Sequence, residues 1–261
     1  MRRSSVEYEL ARLEKRRDEY LRNHRQKREL APELAAKVPE KLRATLNLTF
    51  VKAFKLIFEK GTELIEKTYD KENTRIQYEI NRYAIGLKPD KKSLRAFTKQ
   101  TRGSGALSLA FSGVEGVGLG LLGLGLPDIP ILTATLLRSL YELATSYGYD
   151  YAKPEERFYL LMLIEGSMSY GDKLDDCQRR LDEFAERDST EYTVFSEDEV
   201  IKQLNAAASA LADETLFLKF VQGIPIVGVV GGLSNPVIMS RVRKFALLNY
   251  QYRMLKSLAR S

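Results

Sequence analysis

Residues 40 to 67 read EKLRATLNLTFVKAFKLIFEKGTELIEK. Leu42, Leu46, Thr49, Phe50, Ala53, Ile57, Leu64 and Ile65 recur at helical spacing and line one side, while charged residues fill the other. The spacing predicts an amphipathic helix whose apolar face must be buried against another helix. No stretch of the chain alternates apolar and polar residues for long enough to compete as a strand. The expected fold is therefore all-α, a single multi-helix domain.

Working toward the N-terminus, Pro32 and Pro39 precede this helix, and Val6, Leu10, Leu13, Tyr20 and Leu21 recur at helical spacing among dense charge before them. Residues 1–30 are thus expected to form a basic, thinly amphipathic helix, with residues 31–261 forming the main helical domain. No apolar run follows Met1, so no secretory signal is expected. Toward the C-terminus, a helix over 74–87 is followed by a Lys88-Pro89-Asp90 break and a short basic helix ending near Gly103. Pro154 opens a helix over 155–170, stopped near Gly171, and Ser196 with Glu199 has the spacing of a capping box. Asn235-Pro236 begins a last amphipathic helix, basic over 235–260.

Two segments are rich in glycine. Residues 104–126 contain seven glycines in twenty-three residues, with Glu115 the only charge. Each helical glycine costs about 1 kcal/mol in water, so close packing must compensate. Ser104, Ser108, Ser112, Gly116 and Gly120 fall at every fourth residue, a ridge of small side chains along which another helix can approach. Leu126-Pro127-Asp128-Ile129-Pro130 turns the chain into a leucine-rich arm, with Asp128 suited to cap it and Gly148 suited to end it, so 103–147 is expected to be a helical hairpin. A second glycine-rich hairpin is expected over 217–233, with Gly228 and Gly232 as packing positions. Its apolar part is well short of the ~20 residues that a bilayer span requires.

The chain carries a formal net charge of +6, which admits an anionic lipid surface or nucleic acid as partner. Its distribution is uneven. Residues 155–199 hold fourteen acids against five bases, whereas no acid follows Glu214. Lys91, Lys92, Arg95, Lys99 and Arg102 precede the first glycine-rich segment, and Arg241, Arg243 and Lys244 follow the second. Together they are expected to form a basic surface of the kind that anionic lipid rewards by about 1 kcal/mol per lysine or arginine. For nucleic acid the case is charge alone, with Arg16, Arg17 and Tyr250 to Arg253, and no helix-turn-helix, zinc finger or aromatic platform is present.

Catalytic chemistry finds little support. The sole histidine, His24, lies among Arg22, Arg25 and Lys27, with no nucleophile beside it. Cys177 follows Asp175 and Asp176, neighbours that raise a thiol pKa. One Cys and one His cannot build a zinc site, and Asp172, Asp175 and Asp176 have the pattern of a solvated acidic helix as much as of a hard-cation site. Gly116, Gly118 and Gly120 lack the strand that feeds a phosphate-binding loop. No catalytic residue, metal site or cofactor is assigned. Glu115, Arg138 and Glu165 stand in otherwise apolar helices and form a candidate buried polar cluster, in which Glu165 is expected to pair with Arg138. The alternatives for that cluster are a structural ion pair and a polar site within a lipid- or ligand-binding cavity.

The glycine-rich run into Leu126-Pro127-Asp128-Ile129-Pro130, Tyr141-Glu142, Tyr147-Gly148-Tyr149-Asp150, Glu156-Arg157, and Ile224-Pro225-Ile226-Val227-Gly228 with Asn235 occur together and in this order. In these motifs the chain resembles the EcsC family, a bacterial group named for a protein encoded beside an ATP-driven transporter. The resemblance implies a membrane-associated accessory role, with a membrane transporter as a conceivable partner, and supplies no catalytic residues. Residues and resemblance together lead to the expectation of a cytoplasmic protein held at the inner face of the membrane, peripherally or by shallow insertion. The first alternative is a fully soluble helical interaction protein, followed by a carboxylate-dependent metalloenzyme and a nucleic-acid binder.

Overall fold

The computed structural model describes residues 4–25, 39–103, 128–187, 195–221 and 235–260, and every regular element among them is helical. Helix α1 (Ser5–His24) opens with a capping box: Ser4 Oγ accepts from the Glu7 N–H, and Glu7 accepts from the Ser4 N–H at 2.8 Å. Helix α2 (Glu40–Leu56) runs through a π-turn (Ile57–Gly61) into α3 (Thr62–Glu66). Leu46, Thr49, Phe50, Ala53, Phe54, Ile57 and Ile65 are buried, but Leu64 is exposed. The expected apolar face is thus corrected at its end. A π-turn carries one residue more than an α-turn, which moves the buried face from Leu64 to Ile65.

Helix α4 (Lys71–Leu87) begins three residues before its expected start because the Asp70 carboxylate caps it, accepting from the Asn73 N–H. Helix α5 (Lys91–Gly103) follows the Lys88-Pro89-Asp90 break and buries Leu94, Phe97 and Thr101 against α1 and α4. Helix α6 (Asp128–Ser146) is the leucine-rich arm. Gly148 closes it at φ +79°, with the Tyr149 N–H donating to the Ala144 carbonyl and the Gly148 N–H to Thr145, the expected left-handed cap. The other arm, over 104–126, and the second glycine-rich segment over 222–233 lie outside the described residues.

Helix α7 (Pro154–Met168) is the axis of the molecule. Residues 159–169 are buried without a break, since the sequence there has no polar stripe to turn outward. Helices α8 (Gly171–Glu186), α9 (Glu197–Val221) and α10 (Asn235–Arg260) surround it. A Cβ on Gly166 would stand 2.8 Å from the Phe245 ring and 3.2 Å from Cys177 Cβ, so this glycine sets how closely α8 and α10 approach. Gly171 does more than stop α7: it is the first residue of α8, at φ +53°. The Ser196–Glu199 capping box forms as expected. Helix α9 extends through residues 217–221, which were expected to open the second hairpin. Its far side packs on α2, while α10 also contacts α1 and α6, joining both ends of the chain to the centre.

Candidate functional site

The acids of the middle segment and the bases at the two ends of the chain meet in space. Arg253 donates to Glu156 at 2.7 Å, and Tyr250 donates to the other Glu156 oxygen at 2.5 Å, with Glu156 3% exposed. The Arg253 guanidinium also lies 3.7 Å from the Tyr149 ring centroid and 4.7 Å from that of Tyr159. Burial works against its charge, yet Glu156 and the two tyrosines more than offset this and hold its pKa above the usual guanidinium value. Arg241 pairs with Glu214 at 3.3 Å and bonds Ser169 and Tyr170, and Lys256 pairs with Glu186 at 2.9 Å. From α1, the buried Arg17 pairs with Asp182 and stacks on Tyr252. The Tyr147, Tyr149 and Glu156 motif residues therefore build the interior, and Tyr250 to Arg253 belong to the same core rather than to a nucleic-acid surface.

The expected polar cluster divides. Glu165 accepts from Arg180 at 2.8 Å and Gln203 at 2.9 Å, with Lys173 at 3.6 Å. Arg138 instead donates from Nε to Thr68 Oγ1 and from Nη2 to the Thr68 carbonyl. The pairing of Glu165 with Arg138 is thus corrected: the partners of Glu165 come from α8 and α9, which only tertiary packing brings to it. Glu115 lies outside the described residues, as do Ser104, Ser108, Ser112, Gly116, Gly120, Gly228 and Gly232. Arg138 lines a cleft of about 580 Å³ with Glu142, Ser146, Gln77, Asn81 and Gln100. Glu142 is buried, and one of its carboxylate oxygens has no hydrogen-bond partner among the described residues. Burial raises its pKa, an effect that Arg138 and Arg243 oppose.

The basic surface contracts to one face. Arg241 and Arg243 are half-buried rather than surface groups, because α10 turns them toward Glu214 and toward Ser139 and the Arg102 carbonyl. Burial lowers the Arg243 pKa. Lys244 remains exposed. On α5, by contrast, Lys91, Lys92, Arg95, Lys99 and Arg102 are all exposed. The buried side of α5 is apolar and packs on α1, which leaves its lysines and arginines no direction but outward. Arg95 bonds Glu9 at 2.8 Å, and Lys91 Nζ stands 3.6 Å from the Tyr8 ring. Neither Lys92, Lys99 nor Arg102 has an ion pair with a described residue. Near Arg102, Arg16 of α1 has its pKa lowered, by burial first and then by Arg102 and Arg12.

His24 stacks on Tyr20 at 4.1 Å with Nδ1 2.7 Å from the Tyr20 carbonyl, beside a cleft of about 650 Å³ bounded by Glu214, Arg241 and Lys244. Burial, then Glu165, push the Cys177 thiol up to about 11, which keeps it protonated at neutral pH. Among the described residues no three His, Cys, Asp or Glu side chains converge as metal ligands, and no helix is long and apolar enough to cross a membrane.

What fold and charge define is an all-α protein assembled on one buried helix, with most of its interior charges answered by opposite charges and, among the described residues, a row of exposed, unpaired cations on α5 beside α1. The chain belongs to the EcsC protein family, whose model matches residues 5–255. It is 27% identical over 149 residues to Protein EcsC of Bacillus subtilis (strain 168), an alignment covering 56% of this chain and 58% of the relative. The chain thus spans a little over half the length of that relative. No solved structure matches it.

Proposed function

We propose that the protein works at a membrane surface, bound peripherally at the cytoplasmic face through anionic lipid headgroups held by the α1–α5 face. The observation that carries this reading is the row of exposed cations at Lys92, Lys99 and Arg102 without ion-pair partners among the described residues, the last of which disfavours the charge of Arg16 on α1. An anionic surface relieves that repulsion, at about 1 kcal/mol for each lysine or arginine near it. The same helix leads directly into the glycine-rich segment at 104, so the cations stand where an apolar segment would need to be delivered to the interface. A membrane transporter, the partner that the resemblance implies, would be met at that same surface.

The test is cosedimentation with vesicles of phosphatidylcholine alone or mixed with phosphatidylglycerol, at low and high salt. Binding confined to the anionic vesicles and weakened by salt is expected. The triple variant Lys92→Glu, Lys99→Glu, Arg102→Glu should reduce that binding at least tenfold. Failure of the wild-type protein to sediment with either vesicle would overturn the reading and leave a soluble interaction protein.

A further inference from the structure

Helix α4 carries two apolar faces. One, with Tyr78 and Ile85, packs inward. The other consists of Ile76, Ile80, Tyr83 and Leu87, exposed by 46%, 55%, 70% and 70%. Their spacing of four, three and four residues forms a continuous stripe along the helix, and exposure rises toward its C-terminal end. A shallow groove lined by Glu79, Arg82, Tyr83, Gly86 and Leu87 runs beside it. Four large apolar side chains in register on one exposed face constitute an interaction surface rather than scattered surface hydrophobics.

The neighbouring charges select the occupant. Arg82, Lys88, Lys91 and Lys92 are exposed around the Tyr83–Leu87 end, and Lys91 and Lys92 start the basic helix α5 four residues beyond Leu87. Of the nearby acids, Glu72 is paired with Arg75 at the far end of α4, and Asp90 caps α5 and faces Lys88. Glu79 alone opposes the cations. A second, antiparallel copy of α4 docking along the stripe would gain the Glu79–Arg82 pair across the groove but would also bring together the cations at Lys88, Lys91 and Lys92, which outnumber that one acid. An aromatic and aliphatic stripe ending in a ring of lysine and arginine matches instead a surface that is apolar within and anionic at its edge.

We propose that α4 inserts Ile76, Ile80, Tyr83 and Leu87 into the acyl boundary of an anionic membrane while Arg82, Lys88, Lys91 and Lys92 hold its headgroups. This rests on the membrane-surface reading above and assigns its apolar contact to α4, within the folded domain. The chain contains no tryptophan, so Tyr83→Trp supplies a single indole on the stripe. Adding phosphatidylcholine–phosphatidylglycerol vesicles should shift its emission to the blue and make it quenchable by brominated lipid. Ile80→Asp and Leu87→Asp should each weaken vesicle binding about tenfold, the loss expected from one large apolar side chain, and unchanged helical circular dichroism would report intact folding. Vesicle binding with the indole still in water would overturn the insertion of α4 and leave the basic-face reading standing. Loss of all vesicle binding would remove both. A blue shift without lipid that grows with protein concentration would show a second copy on the stripe, and would equally overturn the proposal.

Discussion

Helices α5 and α10 look alike in sequence and end in different places. Both are amphipathic, both are basic, and each adjoins a glycine-rich segment. In α10 the cations Arg241, Arg253 and Lys256 meet Glu214, Glu156 and Glu186, which come from α9, α7 and α8. In α5 only Arg95 finds an acid among the described residues, Glu9. Net charge of a segment therefore does not measure the charge it presents. That depends on what the fold places opposite, and the acidic middle of the chain is placed opposite α10 and not opposite α5.

Removing the answering charge on α10 should have the largest effect. Glu156→Ala leaves Arg253 and Tyr250 buried without their acceptor, and urea unfolding should show a loss of about 3–5 kcal/mol. If the loss were that of an exposed pair, below about 1 kcal/mol, the distinction between the two helices would collapse. A smaller effect is expected at Glu142, the acid that α10 answers least well. Its folded pKa is raised by burial, so between the unfolded value and the folded one the native state holds the extra proton, and stability falls as pH rises through that window. Glu142→Gln should flatten this part of the stability–pH profile and leave the remainder unchanged. On α5 the charge reversals at Lys92, Lys99 and Arg102 should alter unfolding free energy by less than about 0.5 kcal/mol, although they abolish most vesicle binding. A large destabilisation there would mean that α5 is structural after all.

The helical class was legible from periodicity alone, and so were caps whose chemistry is local: the Ser196–Glu199 box, the Gly148 turn and the break at Lys88-Pro89-Asp90. Buried charges were not. Arg17 stands next to Arg16 in sequence, yet one is a core strut and the other part of the basic face, because consecutive residues of a helix point about 100° apart and nothing local says which direction is inward. Glu165 was recognised as an interior charge, but Arg180 and Gln203 were invisible as its partners, since they depend on how α8 and α9 pack. The outer stripe of α4 had a signal that could have been read: Ile76, Ile80, Tyr83 and Leu87 lie on a different side from Tyr78 and Ile85, and a helix with two apolar sides cannot bury both in a domain that covers one.

The π-turn at Ile57–Gly61 bears on how such a chain tolerates change in length. A single-codon insertion within a helix ordinarily misaligns everything after it, and here the surplus residue is confined to one wide turn instead of being passed on to α3. Relatives whose α2 differs in length by one residue can keep the same Ile57 and Ile65 contacts by gaining or losing that turn. A gap placed there by alignment would then mark conserved packing rather than divergence.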